Sequence, residues 1–313
     1  MNVDGLDIDR TVRDRGPTVV TAGSFDGMHR GHQRLIAAAR ECANVRGLPL
    51  TLLTFEPLPR EFLDPKQPPA RLTTFGEKVL ESRPAGIDRI VCLRFDERLA
   101  RTRADDFIES ILLRGLQTKG LVIGRNFRFG HGREGDLARL ERTFSAAGRE
   151  LVAADLEQAG EERISSTRIR MALAAGDLDQ ATVLLGHPYR MTGRVRHGGQ
   201  RGRRIGYPTA NLAVRRRRSP LGGVYAVRVY GAGALPYNGV ASLGVRPGLD
   251  DAGELLEVHL FDCSADLYGR RLTVEFIAFL RPEQRFGSWN ALQKAIDHDA
   301  EQARAVLTRR GSA

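Results

Sequence analysis

The hydrophobic rhythm of this chain changes once, near residues 186–188, and that change constrains its fold more than any other feature. Before it, apolar runs of β type alternate with amphipathic helical patterns. Residues 17–21, 48–55, 89–93, 120–123 and 150–153 read as strands, and 32–46, 104–113 and 136–147 as helices. In the first of those helices Leu35, Ile36, Ala39 and Ala43 fall on one face. This alternation predicts a mostly parallel sheet covered by helices on both faces. In such sheets ligands bind beyond the C-terminal strand ends, where strand order reverses. After two short helices, at 167–175 and 178–185, the pattern becomes one of strands separated by Gly and Pro. They fall at 190–195, 209–214, 223–230, 236–243, 255–261 and 271–280, and one amphipathic helix follows from about residue 289 to 308. Short strands in such a series predict an antiparallel barrel or sandwich. The expected division is an α/β domain over residues 1–186 and a β domain over 187–313.

Composition narrows the class of partner. The formal net charge is +10, and nearly all of the positive charge is arginine, with lysine only at positions 66, 78, 119 and 294. Such a balance suits polyanions, either nucleic acid or small phosphorylated substrates, and equally fits a genome rich in arginine codons. The tract Arg215–Arg218 prompts a nucleic-acid reading, but four arginines beside Ser219-Pro220 read more simply as a solvated loop. No aromatic stacking array or recognition-helix pattern accompanies them, so nucleic acid is not an expected partner. No apolar stretch approaches bilayer length, so no membrane association is expected. Residues 1–15 carry Asp4, Asp7, Asp9 and Asp14 without an apolar core, unlike a signal or transit peptide. Cys42, Cys92 and Cys263 are far apart and in no metal-ligand spacing, which fits reduced thiols in a cytoplasmic protein.

Three segments of the first half carry candidate chemistry. Gly23-Ser-Phe-Asp-Gly-Met-His-Arg-Gly-His32 follows a strand and opens a helix. Its glycines (Gly23, Gly27, Gly31), with Phe25 and Asp26 between them, suit a tight turn that lets backbone approach a phosphate. The helix start adds free N–H groups and partial positive charge. His29 and His32, three apart, can aim at one ligand and stabilise charge developing on an α-phosphate during in-line attack. The second segment, Ile164-Ser-Ser-Thr-Arg-Ile-Arg170, offers Ser165, Ser166, Thr167 and Arg168 as a cradle for further phosphates. The third is a glycine-flanked loop, 124–132, with Asn126, Phe127 and Phe129, residues that suit the wall of an aromatic-ligand pocket. Taken singly, the histidines read as a helix cap and a surface residue, and the phenylalanines as core.

In the second half Gly206-Tyr-Pro-Thr-Ala-Asn211 follows a basic glycine-bearing loop that includes Gly202 and Arg203 and can fold over a polyphosphate. Thr209 and Asn211, two apart on a strand, share a side and are hard oxygen ligands suited to Mg²⁺ carrying nucleotide phosphates. Further on, Glu257 and His259 share one face of a strand. A carboxylate held there can take the proton of a primary alcohol attacking a γ-phosphate, although the pattern alone favours an exposed glutamate. Leu280-Arg-Pro-Glu283 precedes Arg285-Phe286.

Residues 17–170 together resemble the FMN adenylyltransferase module of prokaryotic FAD synthetases, within the HxGH nucleotidyltransferase superfamily. Residues 189–307 resemble the riboflavin kinase module that follows it in the same bifunctional enzymes, with Gly206–Asn211 as the most specific mark. The resemblance implies a Rossmann-like first domain, then a six-stranded antiparallel barrel with one C-terminal helix. It implies ATP phosphates against His29, His32 and Ser165–Arg168, with FMN attacking the α-phosphorus, and places Asn126 in the flavin and nucleotide pocket. In the barrel it implies Glu257 as general base, Thr209 and Asn211 holding Mg²⁺ and ATP phosphates, and riboflavin near Glu257, with Arg281 and Phe286 as flavin contacts. The expected small molecules are riboflavin, FMN, FAD and ATP. Two positions depart from the family. Leu58 stands in Thr54-Phe-Glu-Pro-Leu-Pro59 where a histidine is usual, and Gly248 where Thr is usual. Leu58 therefore leaves open a riboflavin kinase whose first domain is impaired or acts on another phosphorylated acceptor.

Overall fold

A computed structural model of the chain describes residues 2–3, 6–9, 15–155, 158–159, 162–198, 206–244 and 254–311. The first half builds a seven-stranded sheet from β1 (Asn2–Val3), β2 (Leu6–Asp9), β3 (Thr18–Ala22), β4 (Leu50–Glu56), β5 (Arg89–Arg94), β6 (Thr118–Gly124) and β7 (Glu150–Ala154). Their order is β1-β2-β5-β4-β3-β6-β7, parallel except for the β1–β2 pair. The chain runs outward from β3 in both directions, so β3 is the place where strand order reverses. A short hairpin, β8 (Gln158–Ala159) and β9 (Glu162–Arg163), follows.

Alternate residues along each central strand feed two apolar layers, as a sheet buried on both faces requires. Val19, Leu52, Ile90 and Val122 pack with Ile36 and Ala39 of α1 (Arg30–Arg46) and Val79 of α3 (Phe75–Ser82). Between those two helices lies the single-turn α2 (Pro59–Leu63). Their neighbours Val20, Leu53, Val91 and Leu121 face the opposite layer. After the brief α4 (Glu97–Ala100), that layer is built by α5 (Ala104–Asp106), which runs on as a π-helical stretch Phe107–Gly115, and by α6 (Leu137–Ala146).

The second half begins with α7 (Ser166–Ala174) and α8 (Leu178–Leu185). Six antiparallel strands then close a barrel: β10 (Arg190–Arg196), β11 (Ala210–Ala213), β12 (Gly223–Tyr230), β13 (Tyr237–Gly244), β14 (Leu255–Leu260) and β15 (Arg271–Arg281), in the order β10-β11-β14-β13-β12-β15. Leu256, Val258 and Leu260 are buried while Leu255, Glu257 and His259 are only half-buried, so β14 sends one side chain in two into the barrel. Helix α9 (Trp289–Gly311) covers the outer face, where Ala300, Ala303 and Leu307 pack on Val224, Ala226, Val240 and Ile277.

The chain separates into two compact units, one of Met1–Pro69 and Phe75–Ser165, the other of Ala70–Thr74 and Ser166–Ala313. The five residues Ala70–Thr74 thus belong to the barrel's unit, although they precede it by about a hundred positions. Arg71 N donates to Arg218 O at 3.0 Å, Tyr189 Oη to Leu72 O at 2.9 Å, and Arg170 Nε to Ala70 O at 2.5 Å. Arg216 reaches the Arg71 and Leu72 carbonyls at 3.2 and 3.1 Å and is 5% exposed. The arginine tract is therefore not simply a solvated loop. Its second member is a buried donor to backbone carbonyls, and the other three are exposed.

Candidate active sites

In the first unit, the turn from β3 into α1 lies at the reversal of strand order. Gly23 N donates to Leu53 O at 3.0 Å, joining the end of β3 to β4. The chain then takes left-handed conformations at Phe25 (φ 47°), Gly27 (φ 94°) and Met28 (φ 43°). Such values are strained for Phe and Met and persist only where surroundings hold them. Both side chains are buried, as is Asp26. His29 caps α1, its Nδ1 accepting from His32 N at 3.3 Å. The two imidazoles stack at 3.6 Å between centroids and 15° between planes, and Phe25 lies 5.0 Å from the His32 ring. Close packing at Gly31 maintains this, since a Cβ there would sit 3.3 Å from His29 Nδ1. His29 is thus a cap, as its position suggests, and also one wall of a stacked pair. Burial above all, then the charges of His29, Lys78 and Arg163, hold the His32 imidazole well below the usual histidine range.

Lys78, on α3, is fully buried and donates to Ser24 O at 2.7 Å and Thr54 Oγ1 at 2.9 Å. Sequence reasoning missed it. The available signal was a lysine, one of four, in a chain that otherwise uses arginine. Ser165 is half-buried at the end of the first unit, and Ser166, Thr167 and Arg168 open α7 in the second. Asn126 is exposed in the loop after β6, Phe127 is half-buried against the core, and Phe129 is a core side chain 5.4 Å from the Phe107 ring. Leu58 is 4% exposed and caps α2, where its N donates to Glu61 Oε2 at 3.0 Å.

In the second unit a cavity of about 370 Å³ opens between the outer face of the barrel and α9. Glu257 lines it together with Thr209, Ser242 and Glu283, and Phe286, Trp289 and Leu292 close the side toward the helix. Glu257 is paired across the sheet with Asn211 on β11 and Ser242 on β13, which brings the three polar side chains into one row. Burial, then the neighbouring Glu257, pushes the Glu283 carboxyl above the usual carboxylate range. Asn211 is 7% exposed, and its Oδ1 is buried with no hydrogen-bond partner among the described residues. A buried carbonyl oxygen without a donor is costly unless a cation or water completes it. Thr209, two residues before Asn211, lines the cavity, and a hydroxyl and an amide oxygen are ligands of the hard type that Mg²⁺ takes. Among the described residues no group of three His, Cys, Asp or Glu could hold a metal.

Arg281 is committed within the wall of this cavity. Its Nε and Nη2 donate to Asp299 Oδ1 and Oδ2 at 2.8 and 2.7 Å, and its guanidinium lies 5.5 Å from the Phe286 ring centre. Tyr207 donates to Asp297 on α9, which with burial pushes its phenol up to about 12. His259 Nδ1 lies 2.9 Å from Pro208 O. Sequence reasoning missed Ser242, Glu283 and Asp299 in this wall, because membership depends on strand register and on the approach of α9. Gly206 turns the chain into β11 with φ 83°, whereas Gly202, Arg203 and Gly248 lie outside the described residues.

Comparison with known proteins agrees with this geometry. The FAD synthetase family model matches residues 11–168, and the riboflavin kinase model matches residues 185–307. The chain is 44% identical over 286 residues to the bifunctional riboflavin kinase/FMN adenylyltransferase of Escherichia coli, covering 91% of each chain. It is 46% identical over 289 residues to the protein of the same name from Pseudomonas fluorescens, covering 92% of each. For the Haemophilus influenzae protein the identity is 42% over 290 residues. A crystal structure described as a macrolide-efflux protein from Streptococcus pneumoniae superposes with a TM-score of 0.80 at 30% identity, covering 96% of this chain and 99% of that one. Among the described residues no helix here is long and apolar enough to cross a membrane. The two matched models, in this order and at this identity across nearly the whole chain, show that it belongs to the bifunctional riboflavin kinase/FMN adenylyltransferase family of FAD synthetases.

Proposed function

We infer that this chain makes FAD from riboflavin in two ATP-dependent steps, as a transferase with two sites. The observation that carries the inference is one chain containing, in family order, the stacked His29–His32 pair at the strand reversal and Glu257 in the cavity beneath α9. We assign FMN adenylylation to residues 1–186 and riboflavin phosphorylation to residues 187–313.

In the kinase step Glu257 takes the proton of riboflavin's primary alcohol as that oxygen attacks the γ-phosphorus of ATP, and ADP leaves. The cavity wall at Phe286 stacks on the flavin, and Arg281, tied to Asp299, fixes the edge of α9 beside it. Thr209 and Asn211 would hold Mg²⁺, which when bound neutralises phosphate charge. Gly202, Arg203 and Gly206 would line the polyphosphate. The buried, unpartnered Asn211 Oδ1 supports this assignment.

In the second step an FMN phosphate oxygen attacks the α-phosphorus of ATP and pyrophosphate leaves. Gly23, Phe25, Asp26, Gly27 and Gly31 bring backbone N–H groups and a helix start to the triphosphate. Ser165, Ser166, Thr167 and Arg168 bind its outer phosphates, and Asn126, Phe127 and Phe129 border the flavin. His29 and His32 stabilise charge developing on the α-phosphate, and no covalent intermediate is needed. A neutral His32 supports a hydrogen-bonding role in place of an ion pair. A cytoplasmic setting suits these substrates and three cysteines that form no disulfide.

Chromatography of flavins after incubation with ATP, Mg²⁺ and either riboflavin or FMN tests the inference. Conversion of riboflavin through FMN to FAD is expected. FMN accumulating without FAD would instead support the reading in which Leu58 impairs or redirects the first site.

A further inference from the structure

We propose that Lys78 is a positioning residue for adenylyl transfer, its buried ammonium clamping the Ser24 carbonyl to the Thr54 hydroxyl so that the turn presents His29 and His32 to the nucleotide. The proposal rests on the adenylyltransferase reading of the first unit. Lys78 is fully buried, and a buried ammonium persists only where fixed oxygens replace its water. Two such oxygens lie at 2.7 and 2.9 Å, one on the turn and one on β4, and they are 3.4 Å from each other. The ammonium therefore joins the turn that leaves β3, the strand at which the order reverses, to the neighbouring strand β4.

Its chemistry suits this place better than that of the arginines used almost everywhere else. A compact point charge with three rotatable donors can bridge a carbonyl and a hydroxyl at close range, whereas a planar guanidinium needs a wider seat. The turn it grips is strained at Phe25 and Met28, immediately after Ser24, and needs holding from outside. The clamp also adds a fixed positive charge near His32. The titratable groups acting on His32 are His29 in its own turn, Lys78 from α3 and Arg163 from β9, and each disfavours a proton there. Removing Lys78 thus loosens the turn and lets His32 protonate at a higher pH.

The test uses the full chain carrying Lys78→Met or Thr54→Val, with riboflavin phosphorylation as internal control and imidazole NMR following His32. For Lys78→Met, kcat for FAD formation is expected to fall about 100-fold, the cost of a misplaced reacting group, with the kinase rate unchanged and the His32 titration moved upward. Thr54→Val keeps the charge and loses one anchor, so kcat is expected to fall about tenfold with the His32 titration in place. FAD formation by Lys78→Met within about threefold of the parent, or a His32 titration that does not move, would overturn the proposal. Should Lys78→Met fail to fold, Thr54→Val with parental kcat, or a parent His32 titrating at or above the ordinary histidine value, overturns it equally. A parent that makes FMN but no FAD would sink the adenylyltransferase reading instead, and the His32 titrations would still decide whether the clamp exists.

Discussion

Replacing Asp299 by alanine removes one half of the ion pair that ties α9 to the last barrel strand. The carboxylate is 4% exposed and receives three hydrogen bonds from Arg281, itself 18% exposed. Among the described residues the truncated site leaves the guanidinium Pro282 O at 3.0 Å and the face of Phe286. Orphaning one member of a buried pair costs about 3–5 kcal/mol, and the residual exposure of Arg281 places this case near about 3. For a unit of this size each kcal/mol moves the melting temperature by about 2–4 °C, so a fall of about 6–12 °C is expected. Trp289, the one tryptophan of the chain, starts α9 and borders the cavity, so its fluorescence reports the transition. The riboflavin KM should rise because the helix forms that wall, while adenylylation of supplied FMN should be spared. The double variant Arg281→Met/Asp299→Leu removes both charges and should recover most of the loss. A single variant melting within about 2 °C of the parent, or a double variant worse than the single, would refute the reasoning.

His29→Ala and His32→Ala should each abolish FAD formation and leave FMN formation nearly intact, and Glu257→Ala should do the reverse; flavin chromatography reads both. Equal damage to both activities in a folded protein would contradict separate sites. The Glu283 carboxyl is raised by burial and by Glu257, so it binds its proton more tightly folded than unfolded. Stability therefore falls as pH rises from the ordinary carboxylate range through the higher folded value. Glu283→Gln should melt higher than the parent at pH 8 and lose that advantage at pH 4, which calorimetry at the two pH values checks. Arg216→Ala should lower stability by about 2 kcal/mol in urea because buried carbonyls lose their donor, whereas exposed Arg217→Ala should be neutral.

Much of the architecture is legible in the sequence because the strands have strong periodicity. The predicted strand at 150–153 appears as Glu150–Ala154, and that at 190–195 as Arg190–Arg196. The strands Asn2–Val3 and Leu6–Asp9, at one end of the sheet, escape notice because they are short and contain three charged or polar residues. Helix α3 escapes because Gly76 and Lys78 break its apolar pattern, although Lys78 is buried. Glu257 and His259 were readable as one face of a strand. That this face lies outside the barrel, under α9, is a matter of closure and packing, which local pattern does not carry. The same holds for Arg216, whose burial depends on carbonyls 144 and 145 positions earlier.

The capture of Ala70–Thr74 by the barrel's unit has a consequence for how the protein is made. During synthesis these residues leave the ribosome long before Arg170, Tyr189 and Arg216, their partners at sequence separations of 100 to 145. Until those partners arrive, Leu72, 1% exposed in the finished structure, is left without its enclosure. Folding of the later half must therefore reach back for a segment already placed in the earlier one, a contact of high order and slow closure. No single cut in the polypeptide yields two complete pieces, because a fragment starting at Ser166 leaves the Tyr189 hydroxyl and the Arg216 guanidinium without the Leu72 carbonyl.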